Sequence, residues 1–428
     1  MSVAALLLFL AVLLAGRVQI AFALGLASLF YLVLFLPNVP LRSIPQQMYA
    51  GTESFSLTAI PFFVLVGEIM NAGGISKRLV AFARTVVGHF TGGMGIVALF
   101  TSMIFASFSG SAIANAAGTG SVTIPAMVRS GYPKGLAAAV ESTSSSLGAI
   151  VPPSIPMIVY GTIAGVSIGG LFVAGYVPGV VLAVALALMV RFRAARLGIP
   201  RDERASLRSL GIAAREAGPA LLTPVIIMGG ILGGVMTPTE AGAVGAIYAL
   251  IVAAVIHREP VMRRLPELLL NTAVTTGVVM LVMSVASVFS WVMAFESIPT
   301  AVADAVLSRI TEPAVLMAAI VVLLLIIGTF IDTISALIIL TPVIVPAATQ
   351  AGIDPLFLGL IVTISLTLGV CTPPVGVVLF VTSGIARTTV EETTRAIVPL
   401  IAAMVLLTLI IALLPPGFVL WLPHLFGF

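Results

Sequence analysis

The sequence SSSLGAIVPPSIP at Ser144–Pro156 and the sequence LTLGVCTPPVG at Leu366–Gly376 decide how this chain folds. Both place Leu-Gly shortly before Pro-Pro, and both follow a stretch that can form a helix. Proline removes a backbone donor and clashes with the preceding turn, so each helix must be interrupted at its Pro-Pro pair. The carbonyl groups that lose their partners need new ones. A bound cation or neighbouring side chains that fill the kink could supply them.

The two interruptions belong to an internal repeat with a shift of 221 residues. The shift also places Pro125 on Pro346 and Gly131 on Gly352. Duplicated halves with broken helices are typical of secondary transporters, whose binding site lies near the middle of the membrane. The predicted units are a first half at 1–200 with a hairpin at 90–128 and a broken helix at 136–165, an Arg-rich connector at 201–214, and a second half at 215–428 with a hairpin at 315–349 and a broken helix at 356–386.

Composition indicates where the halves reside. Of the 428 residues, 60% are hydrophobic and 8% are charged, whereas a soluble domain carries about 25% charged residues. A spanning helix needs roughly 20 apolar residues, so the chain has room for about a dozen membrane segments, some interrupted. Short basic loops remain on the cytoplasmic side, which predicts that Arg191–Arg215 and His257–Arg264 are cytoplasmic connectors, not nucleic-acid sites. The sequence therefore predicts an all-α polytopic membrane protein.

Each half contains a polar stretch in place of a continuous membrane helix. SFSGSAIANAAGTGS at Ser107–Ser121 lies within residues 90–128, which contain no charge. Such polarity predicts a re-entrant hairpin whose tip is packed in protein, although a helix-packing face of small residues is an alternative. In the second half, Asp332 is the only charge between Glu312 and Asp354. A charge at membrane depth costs several kcal/mol unless it is paired or hydrated, so Asp332 marks a candidate functional site.

Two other classes of membrane protein are disfavoured. A serine protease needs an activating base near its serine, and the three histidines lie far from the polar stretches. An aspartyl dyad needs two carboxylates, whereas the core of the second half offers only Asp332. An ATP-driven pump needs a phosphate-binding loop, and neither Gly-Lys-Ser nor Gly-Lys-Thr occurs. The single cysteine, Cys371, excludes a disulfide framework and a Cys-based metal cluster.

The chain resembles the large membrane subunit (DctM type) of tripartite ATP-independent periplasmic (TRAP) transporters over nearly its whole length. It departs from the family pattern at Asn115, where a carboxylate is expected, and at Glu141, where the helix is usually neutral. The motifs that carry the resemblance are Ile60–Gly93, SGSAIANAAGTGSVTIPAM at Ser109–Met127, IVPPSIPMIVYG at Ile150–Gly161, GLFVAGYVPG at Gly170–Gly179, MTPTEAGAVGAIYAL at Met236–Leu250, GVCTPPVG at Gly369–Gly376 and WLPHLF at Trp421–Phe426.

The resemblance implies two inverted-repeat halves with re-entrant hairpins and interrupted helices, in an elevator-type ion-transporter fold of the bacterial inner membrane. It implies sodium-driven uptake of an organic acid without a catalytic residue or a cofactor other than sodium as the coupling ion. It also implies a separate small membrane subunit (DctQ type), a periplasmic solute-binding protein (DctP type) and surrounding membrane lipid. A sodium-coupled anion transporter of similar architecture that needs no binding protein is the alternative.

Two sodium sites and a substrate cavity follow from the resemblance together with repeat symmetry. Backbone carbonyls at helix breaks and small side-chain oxygens are suitable sodium ligands. The first site combines the first tip and break: Ser109, Gly110, Ser111, Asn115, Gly148, Val151 and Pro152. The second combines the other tip and break: Gly328, Asp332, Thr333, Gly369, Thr372 and Pro373. The predicted cavity between them is lined by Ser109, Ser111, Ser154, Asp332 and Thr372.

Overall fold

A computed structural model describes residues 2–16, 18–307, 309–310 and 312–428, and these ranges contain helices and no strand. The helices up to the connector are α1 (Ser2–Ala15), α2 (Ile20–Phe35), α3 (Ser43–Ala50), α4 (Ala59–Ala72), α5 (Ile75–Val87), α6 (Gly93–Ser109), α7 (Ala112–Arg129), α8 (Lys134–Ser146), α9 (Ile155–Ala164) and α10 (Ile168–Arg196). Those after it are α11 (Leu207–Leu232), α12 (Pro238–Ile251), α13 (Val261–Phe295), α14 (Ile298–Leu307), α15 (Pro313–Gly328), α16 (Thr333–Gln350), α17 (Pro355–Gly369), α18 (Val377–Ala386), α19 (Val390–Leu413), α20 (Pro416–Val419) and α21 (Trp421–Leu425).

The helices fall into long and short apolar groups. Within the described ranges, seven helical segments are long and apolar enough to cross a membrane, and seven further apolar helices have 10–17 residues. Breaks divide several membrane segments into short helices, and the sequence also predicts that some segments are interrupted. Leu188, Leu222 and Leu406 are exposed on the outside of the long helices, which suits a lipid-facing surface. The predicted all-α polytopic membrane fold is confirmed.

The stretch 90–128 forms two helices, α6 and α7, that pack against each other and meet at a tight turn. Gly110 occupies the left-handed region with φ +58°, which glycine adopts without steric cost. Ser111 then caps α7, because its hydroxyl accepts a hydrogen bond from the Ala114 amide at 3.4 Å. Such a cap satisfies one of the free donors at the start of a helix. These residues define the first tip, Ser109–Ser111.

The second tip lies between α15 and α16, at Thr329–Asp332. Asp332 caps α16 by accepting a hydrogen bond from the Ser335 amide at 3.0 Å. The repeat shift pairs Asp332 with Ser111, so the two paired residues cap corresponding helices. A carboxylate at a helix N-terminus also interacts favourably with the helix dipole. This local role coexists with the exposure of Asp332 to the cavity described below.

Both Pro-Pro segments interrupt a helix. In the first half, α8 ends at Ser146, a 3₁₀ turn covers Leu147–Ala149, and α9 begins at Ile155. In the second half, α17 ends at Gly369 and α18 begins at Val377. Both Pro-Pro peptide bonds are cis. The two halves of each broken helix pack mainly against different neighbours.

The TPTEAG segment at Thr237–Gly242 builds the start of α12. Thr237 and Glu240 form a reciprocal capping box: the Glu240 carboxylate accepts from the Thr237 amide at 2.8 Å, and the Thr237 hydroxyl accepts from the Glu240 amide at 3.3 Å. Thr239 instead donates to the Phe55 carbonyl at 3.2 Å. The capped helix, α12, packs mainly on α4, so this segment shapes the helices around α4.

The two basic loops lie at the same end of the helices. The Arg84 guanidinium forms two bonds with the Asp202 carboxylate, at 2.6 and 3.0 Å. Arg78, also on α5, contacts Glu259 in the second loop at 3.0 Å. The first basic loop is shorter than the predicted range Arg191–Arg215, because its first three arginines belong to α10 and the residues from Leu207 onward belong to α11. One helix, α5, thus links both loops.

Candidate functional site

A cavity of about 570 Å³ lies where the two tips approach α4 and α13. On one side it is lined by residues of the tips and breaks, including Gly110, Ala149 and Ile334. On the other side it is lined by residues of α4 and α13, including Val64 and Val278. The cavity therefore lies between the hairpins and broken helices on one side and α4 and α13 on the other.

The polar lining of the cavity is acidic. Its two carboxylates are Glu68 on α4 and Asp332 at the second tip, and none of the described lining residues is lysine, arginine or histidine. Asn271 donates to the Glu68 carboxylate at 3.5 Å. Three helices, α7, α9 and α16, begin at cavity-lining residues, namely Ala112, Ile155 and Thr333. Helix N-termini carry partial positive charge, so the lining combines three partly positive helix ends with two carboxylates.

The structure brings the first tip onto the first break. A Cβ atom on Gly148 would lie 2.8 Å from the Asn115 side-chain nitrogen and 3.2 Å from the Ser111 carbonyl oxygen. Ser109 donates to that same carbonyl at 3.4 Å. Ser109, Gly110 and Ser111 line the cavity, whereas Asn115 is fully buried behind them. The predicted first set is therefore gathered in space, apart from the two residues described next.

Val151 and Pro152 lie on the far side of the first break. A Cβ atom on Gly179 would lie 2.9 Å from Val151, and one on Gly175 would lie 3.4 Å from Pro152, so both residues pack on α10. The tip is approached instead by later residues of the break. The Ile155 amide donates to the Gly110 carbonyl at 3.2 Å. Gly148 and Ile155 of the break therefore lie against the tip, whereas Val151 and Pro152 lie against α10.

The second tip and second break touch through bare backbone. A Cβ atom on Gly369 would lie 2.6 Å from the Cα atom of Gly328, so neither position has room for a side chain. The Gly376 amide donates to the Thr329 carbonyl at 3.2 Å. Asp332 and Thr333 line the cavity.

Three further predicted residues are placed away from the cavity. Ser154 is fully buried, donates to the Ala149 carbonyl at 2.6 Å and caps α9. Thr372 donates to the Leu368 carbonyl at 2.8 Å. Neither of them, nor Pro373, is among the described residues that line the cavity. The hydroxyls of Ser154 and Thr372 therefore form hydrogen bonds with backbone carbonyls next to the breaks.

The two departures from the family pattern meet in one buried cluster. The Asn115 amide donates to the Ser102 carbonyl at 3.1 Å, and its side-chain oxygen accepts from Thr119 at 3.2 Å. Thr119 also bonds to the carboxylate of Glu141, which is fully buried. A single threonine therefore connects the asparagine on α7 with the carboxylate on α8.

Sequence reasoning missed two polar residues of α4 that line the cavity, Glu68 and Asn71. A signal was present, because Glu68 is the only charged residue between Glu53 and Lys77. The argument that singled out Asp332 applies equally to a lone carboxylate in an apolar helix. What the sequence could not give was the packing of α4 against the first tip: a Cβ atom on Gly67 would lie 3.2 Å from the Cα atom of Ser109.

Comparison with known proteins places this chain in a family. The family model described as "Tripartite ATP-independent periplasmic transporter, DctM component" matches residues 7–416. The chain belongs to the TRAP transporter DctM family. This TRAP large permease is 40% identical over 417 residues to the 2,3-diketo-L-gulonate TRAP transporter large permease protein YiaN of Escherichia coli, with 96% of this chain and 97% of the relative covered.

Two other relatives have similar identity to this permease. The sialic acid TRAP transporter large permease protein SiaM of Vibrio cholerae is 38% identical over 414 residues, covering 97% of this chain and 96% of the relative. The isethionate TRAP transporter permease protein DctMQ of Oleidesulfovibrio alaskensis is 41% identical over 399 residues. That match covers 93% of this chain but only 63% of the relative.

Solved structures show the same kind of fold in more distant proteins. The YdaH transporter of Alcanivorax borkumensis matches with a TM-score of 0.66 at 17% identity, covering 88% of this chain and 89% of the other. MtrF of Neisseria gonorrhoeae matches with a TM-score of 0.61 at 14% identity, covering 87% and 83%. At these identities the likeness concerns the fold alone.

The recognition of the family from sequence is confirmed. The chain is a TRAP large permease, a multi-pass protein of the inner membrane, and its relatives are transporter permeases, not enzymes. Large permeases of this family work with a small permease and a periplasmic binding protein.

Proposed function

We propose that this permease imports an organic acid together with sodium, and that a periplasmic binding protein delivers the acid to the cavity between the two tips. The observation that carries the proposal is the cavity lining, which combines two carboxylates with three helix N-termini and no basic side chain among its described residues. The relatives named above carry 2,3-diketo-L-gulonate, sialic acid and isethionate in their names. All three are organic anions.

The charge of the cavity is the reason to propose a coupling cation. An anion beside the carboxylates of Glu68 and Asp332 is repelled unless positive charge enters with it. Sodium bound at the contact of each tip with its break would supply that charge, using backbone carbonyls as ligands. The close approach of Gly148 to Asn115 and of Gly369 to Gly328 supports the two positions. Anion and cation then stabilise each other in the cavity, which couples their transport.

The two-sided lining supports an elevator motion. One side of the cavity belongs to α4 and α13, and the other belongs to the tips and breaks. If the hairpins and broken helices move as one body along α4 and α13, the bound acid and sodium cross the membrane together. A separate small membrane subunit of DctQ type would complete the stationary side, and a DctP-type protein would deliver the acid.

The elevator can be tested by fixing its two sides together. Asn71 on α4 and Ala117 on α7 line the cavity from opposite sides. Cysteines at these positions, in a Cys371→Ser background, should be joined by a short thiol cross-linker. We expect the cross-link to stop uptake and a reversible reagent to restore it. Full uptake by the cross-linked permease would contradict an elevator motion.

Sodium coupling is tested by uptake into proteoliposomes that contain the permease and its small subunit, with the binding protein outside. The three acids named above are offered with and without an inward sodium gradient. We expect uptake of an acid only with the gradient, and loss of uptake in Asp332→Ala and Ser111→Ala. Glu267→Gln is a matched control, because Glu267 is exposed and pairs only with Arg264 on its own helix.

Two outcomes would count against the proposal. Normal uptake with unchanged sodium dependence in both Asp332→Ala and Ser111→Ala would remove the predicted ion sites. Uptake by the permease alone, at a rate that neither the small subunit nor the binding protein changes, would favour a binding-protein-independent anion transporter.

A further inference from the structure

A buried polar cluster connects the first hairpin with the first broken helix and has no part in the cavity. Its centre is the carboxylate of Glu141 on α8, which is 0% exposed. Its other members belong to three helices and are also fully buried: Ser102 on α6, Asn115, Thr119 and Thr123 on α7, and Ser145 on α8.

Every side-chain partner of the Glu141 carboxylate is a hydroxyl group. One carboxylate oxygen lies 2.5 Å from the Thr119 hydroxyl, 3.3 Å from that of Ser102 and 3.4 Å from that of Ser145. The other lies 2.6 Å from the Thr123 hydroxyl. Among the described residues no lysine, arginine or histidine pairs with Glu141. A buried carboxylate without a cationic partner costs several kcal/mol, and such groups usually become neutral.

The hydrogen count in the cluster points to the neutral form. The Thr123 hydroxyl lies 2.6 Å from the Glu141 carboxylate and also 3.0 Å from the Thr119 carbonyl, yet it has one hydrogen to donate. The Thr119 hydroxyl likewise has one hydrogen but lies between two acceptors: the Glu141 carboxylate and the backbone carbonyl of Asn115, which lies 2.8 Å from the hydroxyl oxygen. A proton on the carboxyl group can donate to one of these hydroxyls, which then donates to its backbone carbonyl. With that proton present, both contacts of that threonine are hydrogen bonds.

The same geometry favours a proton over a metal cation. Each carboxylate oxygen is in direct hydrogen-bond contact with a threonine hydroxyl, so no ion fits between them. The members are sealed from solvent, which opposes entry of a hydrated ion. Hydrogen bonds also link Ser102 to Thr119 at 3.2 Å and Thr119 to Glu141, so a proton on Glu141 belongs to a connected network of hydroxyl groups.

The charged groups on the surrounding helices lie near helix ends and do not contact the Glu141 carboxylate. The helix α6 carries no charged residue, and the thiol of Cys371, next to α17, contacts the Ser142 carbonyl at 3.2 Å. The helix α8 itself carries one other charged residue, Lys134, at its first position. The other charged residues, on the helices packed against α8, are Arg129 on α7, Arg191, Arg193 and Arg196 on α10, Asp354 before α17, Arg387 after α18, and Glu391, Glu392 and Arg395 on α19.

We propose that Glu141 is a proton-binding site: its carboxyl group takes a proton from water and holds it in this conformation, and the bound proton keeps α6, α7 and α8 together. Loss of the proton to water at alkaline pH leaves an unpaired negative charge among the three helices. The cluster then opens to water. Because Asn115 shares Thr119 with Glu141 and lies against Gly148, this opening disturbs the first tip and lowers uptake.

Infrared difference spectroscopy of the purified permease tests the protonation state directly. We expect the wild type at neutral pH to show the carbonyl band of a protonated carboxylic acid, and Glu141→Gln to lack it. The control Glu267→Gln, which changes an exposed carboxylate, should leave the band in place. Absence of the band from the wild type, or its persistence in Glu141→Gln, would overturn the proposal. Disappearance of the band on addition of sodium would identify a cation site instead and would also overturn it.

The pH profile of uptake and a second variant complete the test. Uptake by the wild type should fall towards alkaline pH, whereas Glu141→Gln, a neutral mimic of the protonated group, should be active and lose that decline. If Glu141→Gln does not fold, Thr123→Val retains the carboxyl group but removes one partner, and its band should be shifted. An unshifted band in Thr123→Val, or an alkaline decline equal in Glu141→Gln and wild type, would contradict the proposal.

Discussion

The contact between Gly328 and Gly369 permits a prediction whose size follows from the structure. A Cβ atom on Gly369 would lie 2.6 Å from the Cα atom and 2.7 Å from the carbonyl carbon of Gly328. Both atoms belong to the backbone and cannot rotate away. In Gly369→Ala, α15 and α17 must therefore separate by roughly 1 Å to restore ordinary van der Waals distances.

The expected cost is about 1–3 kcal/mol, the usual range for an extra carbon forced into a packed interior. Gly384→Ala is the matched control, because a Cβ atom on Gly384 of α18 meets nothing within 4 Å. There the only change is the gain in helix propensity of about 0.5–1 kcal/mol when alanine replaces glycine. The two variants add the same methyl group and should shift stability in opposite directions.

Thermal unfolding of the purified permease in detergent measures both effects. We expect Gly369→Ala to melt below the wild type and Gly384→Ala to melt at or above it. Uptake should also fall in Gly369→Ala, since the separated helices widen the contact proposed to hold sodium. In the double variant Gly328→Ala/Gly369→Ala the cost should be less than the sum of the single costs, because both changes open the same contact. A melting temperature of Gly369→Ala equal to that of Gly384→Ala would refute the packing argument.

Three further predictions concern the helix start at Thr237, the basic loops and pH. Thr237→Ala removes one half of the capping box and should cost about 1 kcal/mol, which thermal unfolding would detect; an unchanged melting temperature would count against the cap. A cysteine at Ser206 in the first basic loop should resist an impermeant thiol reagent in intact cells and react after lysis, and labelling in intact cells would reverse the proposed orientation. Burial, with the nearby Arg78, lowers the pKa of His257 below its ordinary value of 6.5, so the folded protein binds fewer protons than the unfolded chain at mildly acidic pH. Acidification from neutral pH should therefore destabilise the wild type more than His257→Gln, and equal losses in the two proteins would contradict this.

Local features of the chain could be read from the sequence. Pro-Pro after Leu-Gly breaks a helix wherever it occurs, because the ring removes a donor and clashes with the preceding turn. Asp332 was recognisable because a lone charge in an apolar stretch is costly, and it lines the cavity. The low charge content, 8% of the residues, excludes a soluble fold by itself. These inferences needed only the composition and the immediate neighbours of each residue.

Tertiary packing decided which of these residues meet. The sequence alone grouped Val151 and Pro152 with the first tip, but the chain turns at the break and packs both on α10, while Ile155 reaches Gly110. Glu68 entered the site because α4 lies against the first tip.

Asn115 and Glu141 were two separate departures from a family pattern in the sequence, yet one threonine joins them in the structure. Backbone propensity and solvation act on residues near in sequence, whereas cavities and buried polar clusters depend on contacts between helices distant in the chain. The sequence by itself therefore determined the membrane fold, the breaks and the family, and only the packing of the helices decided the composition of the cavity and the surroundings of Glu141.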